Sequence, residues 1–305
     1  MSLYQRLSQV KRPSPSNRDT SRPTFVGIPG REVSNAFGSF YLMEETHPIS
    51  WNKQDLSPDI IQENLQLLYG VGPVTERQLK DGGYQCLQDL LEHPRWAGTA
   101  ETAMACIQQR DIRMMRRMGA SDQHILPFFR QDDIVFLDIE TTGLWSTQPL
   151  FLVGLLFKEG DRLRSRLLLA RRLHEEKPLL AHLIQELNQF GVVVSYNGKR
   201  FDIPYIEART VAHRLFYRSP HEQVDLLYHA RRKFRDVLPD CRLVTIESQV
   251  LGHERLDDVP GHLIPETYYR YVRTQDGSLL EGIIRHNLDD LLAMEKMFPI
   301  LMETT

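Results

Sequence analysis

The sequence is poor in cysteine, in long apolar runs and in net charge. Its three cysteines, Cys86, Cys106 and Cys241, are widely separated and odd in number, which argues against a disulfide framework and lacks the paired spacing of a zinc site. They read as buried or inert thiols. The longest apolar run, Leu150 to Phe157, is far below the roughly 20 residues a membrane helix needs, and the basic N-terminus has no apolar signal core. A cytoplasmic chain with no membrane partner is the expectation. A formal charge of -3 supplies no overall attraction to a polyanion, so any nucleic-acid partner must be held by local basic groups and bound metal.

What is present suffices for folded domains: 305 residues, 41% hydrophobic and 25% charged. Residues 1 to 31 carry five serines, four prolines and six Lys or Arg against one acidic residue. Such a stretch buries too little apolar area to offset chain entropy, and it predicts a disordered basic leader over residues 1–35. From Ser57 to about Gly119 apolar residues recur at helical spacing, as in Ile60, Ile61, Leu65, Leu67 and Leu68, which predicts a small all-helical module within residues 36–120. Inside it, Gly70 and Gly72 form a turn before Pro73 and Thr75 at a helix start. The segment resembles a helix-hairpin-helix, which grips a nucleic-acid backbone through unpaired N–H groups at a helix N-terminus. The same glycines also serve if they only let two helices pack closely.

After Gln131 the pattern turns to strands: Ile134 to Ile139, Leu150 to Phe157 and Leu163 to Leu169, then a helix from Pro178 to Phe190 and a strand from Val192 to Tyr196. Three adjacent strands, a helix, a strand and closing helices predict an α/β domain over residues 131–305, with a ribonuclease H-like mixed sheet flanked by helices. Arg162, Arg164 and Arg166 share one face of the third strand, as on a solvated sheet edge. The basic stretch His229 to Arg235 reads as a solvated helix face or a guide for a phosphate backbone.

Carboxylates carry the chemical signal. Asp138 and Glu140 stand two apart near the end of an apolar strand, hence on one face, where their repulsion calls for a divalent cation. Asp202 ends a glycine-bearing turn and starts a helix; a helix cap accounts for it equally well. His286 and Asp290 share a face of a late helix, while Asp289 is turned about 100 degrees away. They also fit a plain His–Asp pair. Asp225 reads as a carboxylate outside the metal set.

The Asp138-Ile-Glu140 strand, the Asn197-Gly-Lys-Arg-Phe-Asp202 turn and the late helical Asp290 resemble the three motifs of the DEDD exonuclease superfamily. Within it, Thr245-Ile-Glu, Leu251-Gly, Pro260-Gly, Ile264-Pro and His286-Asn-Leu-Asp-Asp290 are similar to the YprB-type ribonuclease H-like family. The resemblance implies a 3'-5' exonuclease acting on the 3' end or single strands of DNA or RNA. It also implies that Asp138, Glu140, Asp202 and Asp290 hold two Mg2+ or Mn2+ ions and that His286 is the base. Gly143, Leu144, Asn197 and Lys199 become nucleotide contacts, with Gly70 and Gly72 touching the strand further off. His286 stands four residues before Asp290, where members with a tyrosine place that residue and histidine members use five. Two other readings stay open: a non-catalytic nucleic-acid-binding protein of the same fold, and an aspartyl-phosphate phosphatase with Asp138 as nucleophile.

Overall fold

The computed structural model describes residues 30–50, 57–255 and 259–303. Seven strands form one sheet among the described residues: β1 (Gly30–Asn35), β2 (Gly38–His47), β3 (Ile134–Thr141), β4 (Leu150–Glu159), β5 (Arg162–Leu169), β6 (Val192–Ser195) and β7 (Glu222–Asp225). Their spatial order is β1-β2-β5-β4-β3-β6-β7. The pairings from β1 to β3 are antiparallel, and β3–β6 and β6–β7 are parallel. This is the mixed sheet of the ribonuclease H-like expectation. Its central strands β3 and β4 are buried along nearly their whole length, which is why they read as continuous apolar runs without alternation.

Two expectations about the N-terminal third need correction. The leader was expected to run to residue 35, and residues 36–120 to be helical, yet Gly30–Asn35 and Gly38–His47 are a hairpin that extends the sheet. Residues 1–29 of the expected leader lie outside the described residues. The hairpin buries Phe40, Leu42 and Met43, but its strands also carry charge whose partners are remote in sequence. Glu44 lies opposite Arg166 of β5 and bonds its Nε at 2.9 Å. The β5 arginines therefore do not mark a solvated edge: β2 covers that side, and Arg166 also reaches Glu186 at 2.5 Å.

Helical structure begins at residue 58. Short 3-10 turns alternate with α1 (Pro73–Asp81), α2 (Ala97–Gln108), α3 (Ile112–Arg117) and α4 (Asp122–Ile125), around a separate core that includes Leu65, Leu87, Leu90, Trp96 and Met115. The arm before the Gly70–Gly72 turn consists of two 3-10 pieces, Pro58–Glu63 and Leu65–Leu67, rather than an α-helix. Asn64 separates them in an extended conformation, its side chain accepting from the Gln66 amide, a local bond that competes with helix continuation. The module docks on the β7 side through Arg116–Glu222 at 3.0 Å and His229–Asp122 at 2.8 Å.

The remaining helices are α5 (Glu176–Leu187), α6 (Asp202–Ala212), α7 (Leu226–Phe234), α8 (Leu243–Val250), α9 (Ile264–Thr274) and α10 (Ser278–Met302). Helix α10 lies against β3 and β4, and a glycine allows the approach. Gly154 pairs with Asp138 across the ladder, and a Cβ on it would stand 2.0 Å from Asn287 Oδ1 and 2.7 Å from Leu291 Cδ1. Gly154→Ala is expected to lower stability by about 1–3 kcal/mol through overpacking, read as a shift in the urea unfolding midpoint. An unchanged midpoint would show that the helix has room to move.

Candidate active site

Three elements deliver the four acids. The pleat of β3 turns Asp138 and Glu140 to one face, helix α6 starts at Asp202, and α10 contributes Asp290. Asp202 is held to the strand by accepting from the backbone amide of Ile139, between the two strand acids. Asp202 and Glu140 are 5% and 9% exposed, so little water is present to screen them.

The electrostatics record the convergence. Burial drives the Asp138 carboxyl well above the ordinary carboxylate range, and repulsion from Asp290, Glu140 and Asp202 adds to it. Burial likewise pushes Asp202 up to about 7, despite its two backbone hydrogen bonds. Asp290 is raised by burial, against the opposing pull of Arg255 and His286.

Residues that the sequence reading left without a role complete the arrangement. Asn287 lies one helical turn before Asp290 and donates to Asp138 at 2.6 Å; its Oδ1 is buried without a hydrogen-bond partner. The i,i+3 spacing to Asp290 was visible, but amides at that spacing are common on buried helix faces. Arg255, with a side chain only 2% exposed, bridges Asp290 at 2.5 Å and Glu247 at 2.7 Å. It lies in an irregular segment with no periodicity to mark it. Asp225 accepts from the amides of Asn197, Lys199 and Leu227, so it both caps α7 and shapes the turn before Asp202.

The other expected residues are placed as follows. His286 Nε2 lies 3.8 Å from Asp290 Oδ2, an ion-pair distance too long for a hydrogen bond. Gly143 and the 82% exposed Leu144 are in the loop after β3. Asn197 is exposed and adopts a left-handed backbone (φ 68°), which asparagine tolerates. The Lys199 side chain turns to the β7 side, lining a cleft with Arg116 and Glu222. Gly70, also left-handed (φ 86°), faces Trp96, and Gly72 caps α1 with nothing within 4 Å of a would-be Cβ. Of the basic stretch, His229 binds Asp122 and Lys233 reaches the Ile300 carbonyl, so both side chains are engaged in internal contacts.

Crowded, desolvated carboxylates are hard oxygen donors whose repulsion a divalent cation relieves, and the unpartnered Asn287 Oδ1 adds a polar atom beside Asp138. In donor chemistry the cluster fits such an ion. Among the described residues no three His, Cys, Asp or Glu side chains close into a ligand cage, and Asp290 engages Arg255.

A family model described as RNase_H superfamily matches residues 135–302, more than half of the chain. The chain belongs to the RNase H superfamily. Members of this superfamily are usually nucleolytic and usually use divalent metals. A curated relative, "Uncharacterized protein YprB" of Bacillus subtilis (strain 168), is 30% identical over 191 residues, covering 61% of this chain and 46% of the relative. The chain thus spans about half the length of that relative. The family B DNA polymerase of the hyperthermophilic archaeon Pyrobaculum calidifontis aligns at 19% identity with a TM-score of 0.42, over 55% of this chain and 25% of its own; so slight a likeness has no bearing on activity. No described helix is long and apolar enough to cross a membrane.

The raised carboxyls set a pH dependence. Asp202, with a folded pKa of about 7 against roughly 3.9 unfolded, binds its proton more tightly when folded. The folded state therefore loses stability as pH rises through that window. With chelator present, thermal unfolding should move to lower temperature from pH 5 to pH 8, and Asp202→Asn should flatten the trend. An equal slope in the variant would remove Asp202 as its source.

Proposed function

We propose that the chain is a divalent-metal-dependent 3'-5' exonuclease that hydrolyses phosphodiester bonds of DNA or RNA. The observation that carries this reading is the meeting of four acids from β3, α6 and α10 around Asp138. Asp138, Glu140, Asp202 and Asp290 would hold two Mg2+ or Mn2+ ions, which when bound supply the charge that favours attack by water and departure of the 3' oxygen. In the balanced reaction, water adds to phosphorus, the P–O3' bond breaks, and a nucleoside 5'-monophosphate leaves.

The chain's own groups prepare that step. Asn287 fixes the Asp138 carboxylate by donating to one oxygen, and the Ile139 amide fixes Asp202. His286, beside Asp290, would take the proton of the attacking water in this reading. Gly143, Leu144 and Asn197 are nucleotide contacts in this reading, with Gly70 and Gly72 holding the strand further away, whereas the Lys199 side chain, expected as a fourth contact, lies on the β7 side.

The test is cleavage of 3'-labelled and 5'-labelled DNA and RNA oligonucleotides with Mn2+, with Mg2+ and with chelator. Metal-dependent release of mononucleotides from the 3' end is expected, reduced by roughly a thousandfold or more in Asp138→Ala and Asp290→Asn. Tight binding without cleavage of any substrate would point to a binding protein instead, and a trapped phosphoaspartate at Asp138 to a phosphatase. Because Arg255 holds Asp290, Arg255→Gln should tighten Mn2+ binding by about tenfold or more, a unit charge having been removed from the cluster. Calorimetric titration without substrate measures this, and weaker binding would make Arg255 a support of the metal site rather than its competitor.

A further inference from the structure

Helix α7 carries two kinds of basic side chain, and its packing separates them. Leu226, Leu227, His229 and Ala230 are buried. His229 Nε2 meets Asp122 of the helical module at 2.8 Å, and Lys233 Nζ donates to the Ile300 carbonyl at 2.6 Å. With that side committed, the opposite side cannot turn inward. It holds Tyr228, Arg231, Arg232 and the helical cap Arg235, all exposed, at i, i+3, i+4 and i+7, the spacing of one helix face. No Asp or Glu interrupts residues 226–235. Arg232 Nη2 donates to His229 Nδ1 at 3.1 Å. Arg235 meets Asp236 at 3.5 Å, but the two side chains are 72% and 86% exposed, too solvated for the pair to neutralise the face.

The face is tied to the acids through the sheet. Strands β6 and β7 are parallel neighbours with Ser195 opposite Asp225, so the turn that leads to Asp202 and the start of α7 emerge side by side, about 4.8 Å apart. Asp225 joins them. Its carboxylate accepts from the amides of Asn197 and Lys199 at 2.7 and 3.2 Å and from that of Leu227 at 3.1 Å, and its charge adds to burial in raising the Asp202 carboxyl. Burial also raises the Tyr196 hydroxyl at the entry to this turn, and Arg231 is close enough to oppose that rise. From Asp225 to Arg235 the helix rise then carries the face about 15 Å.

We propose that the face formed by Tyr228, Arg231, Arg232 and Arg235 is an exosite for the phosphate backbone of the strand whose 3' end is cut, which makes a polynucleotide long enough to reach α7 a better substrate than a dinucleotide. This rests on the nuclease reading above. Arginine meets phosphate oxygens as a two-pronged donor. An aromatic ring among arginines suits a chain in which phosphates alternate with flat bases better than it suits an acidic polypeptide. Contacts of this kind position a strand without reading its sequence. Phosphates follow one another about every 3.4 Å along a stacked strand, so the length of the face accompanies roughly four of them.

The experiment compares the full chain with Arg231→Gln/Arg235→Gln, which spares the Arg232 bond to His229, and with Arg231→Lys/Arg235→Lys. For binding, each also carries Asp290→Asn, and fluorescence anisotropy reads affinity for a single strand of about twelve nucleotides as salt is raised from about 50 to 200 mM. The glutamine variant is expected to bind about tenfold more weakly at the lower salt and to reduce the slope of log affinity against log salt by about 1.4, two phosphate contacts having been lost. The lysine variant should keep the slope, because its charges remain. With position 290 intact, the glutamine variant should raise KM on the long strand more than it lowers kcat, and should raise KM on a dinucleotide by less than about twofold.

Equal losses of KM on the dinucleotide and the long strand would place the arginines at the acids and overturn the exosite. An unchanged salt slope with a lowered thermal midpoint would reduce them to charges that favour the carbonyl end of their own helix. Undiminished oligonucleotide binding with lost affinity for polyglutamate would assign the face to an acidic protein, again overturning the exosite. Each of these leaves the nuclease reading standing. Failure of the intact chain to bind or cut any oligonucleotide would sink that reading, and the exosite with it.

Discussion

Asp138, Glu140, Asp202 and Asp290 carry like charge into a region with little water, where mutual repulsion is weakly screened and each buried ion costs several kcal/mol unless compensated. Much of the surrounding architecture answers that constraint. The Ile139 amide and Asn287 donate to Asp202 and Asp138, and Arg255 brings a full positive charge to Asp290. The carboxyls that remain underserved hold their protons more tightly instead, which is the meaning of their upward shifts. A glycine at position 154 is the steric condition for the whole set, since it lets α10 come close enough to place Asn287 over β3.

The pattern most legible in the sequence was the one set by local geometry. Two acids at i and i+2 on an apolar strand must share a face, and an acid at the start of a helix or on its buried stripe has a defined direction, so the elements bearing Asp138, Glu140, Asp202 and Asp290 could be read directly. The core strands β3, β4 and β6 were legible because burial on both faces demands unbroken apolar runs, and β5 because its arginines alternate with buried residues before an apolar end. The hairpin β1–β2 was not, because its strands carry charge that is answered partly across the hairpin, as in Arg31 with Glu44, and partly by side chains more than a hundred residues away, as in Glu44 with Arg166. Strand β7 is four residues long, and Glu-Gln-Val-Asp carries no strand pattern; its place is set by parallel pairing with β6.

Side-chain roles that depend on long-range contact escaped the sequence for the same reason. Arg255 binds Glu247 of its own segment, and its link to Asp290 exists only because that segment and α10 are brought together. The Lys199 backbone belongs to the turn before Asp202, but its side chain joins Arg116 of the helical module, a direction that sequence spacing does not encode. The same folding that assembles the acids redirects cations that looked available for phosphate. His229 and Lys233 of the basic stretch are engaged in docking the module and the end of α10, where Arg116 also binds Asp122 and Glu222.

That redirection bears on how a polyanion is received. A chain of net charge -3 with its acids concentrated in one place repels a phosphodiester at the position where the proposed reaction occurs. Cations held among the acids, as the proposed function requires, would reverse the sign locally, but they would act on phosphate and not discriminate one strand end from another. On that reading, discrimination would fall to uncharged surfaces near the acids. The β3–β4 loop is such a surface, for α6 holds its carbonyls and leaves the Leu144 and Trp145 side chains in solvent. On that reading the division of labour would be physical: charge would supply affinity through the ions, and neutral surfaces would select what approaches them.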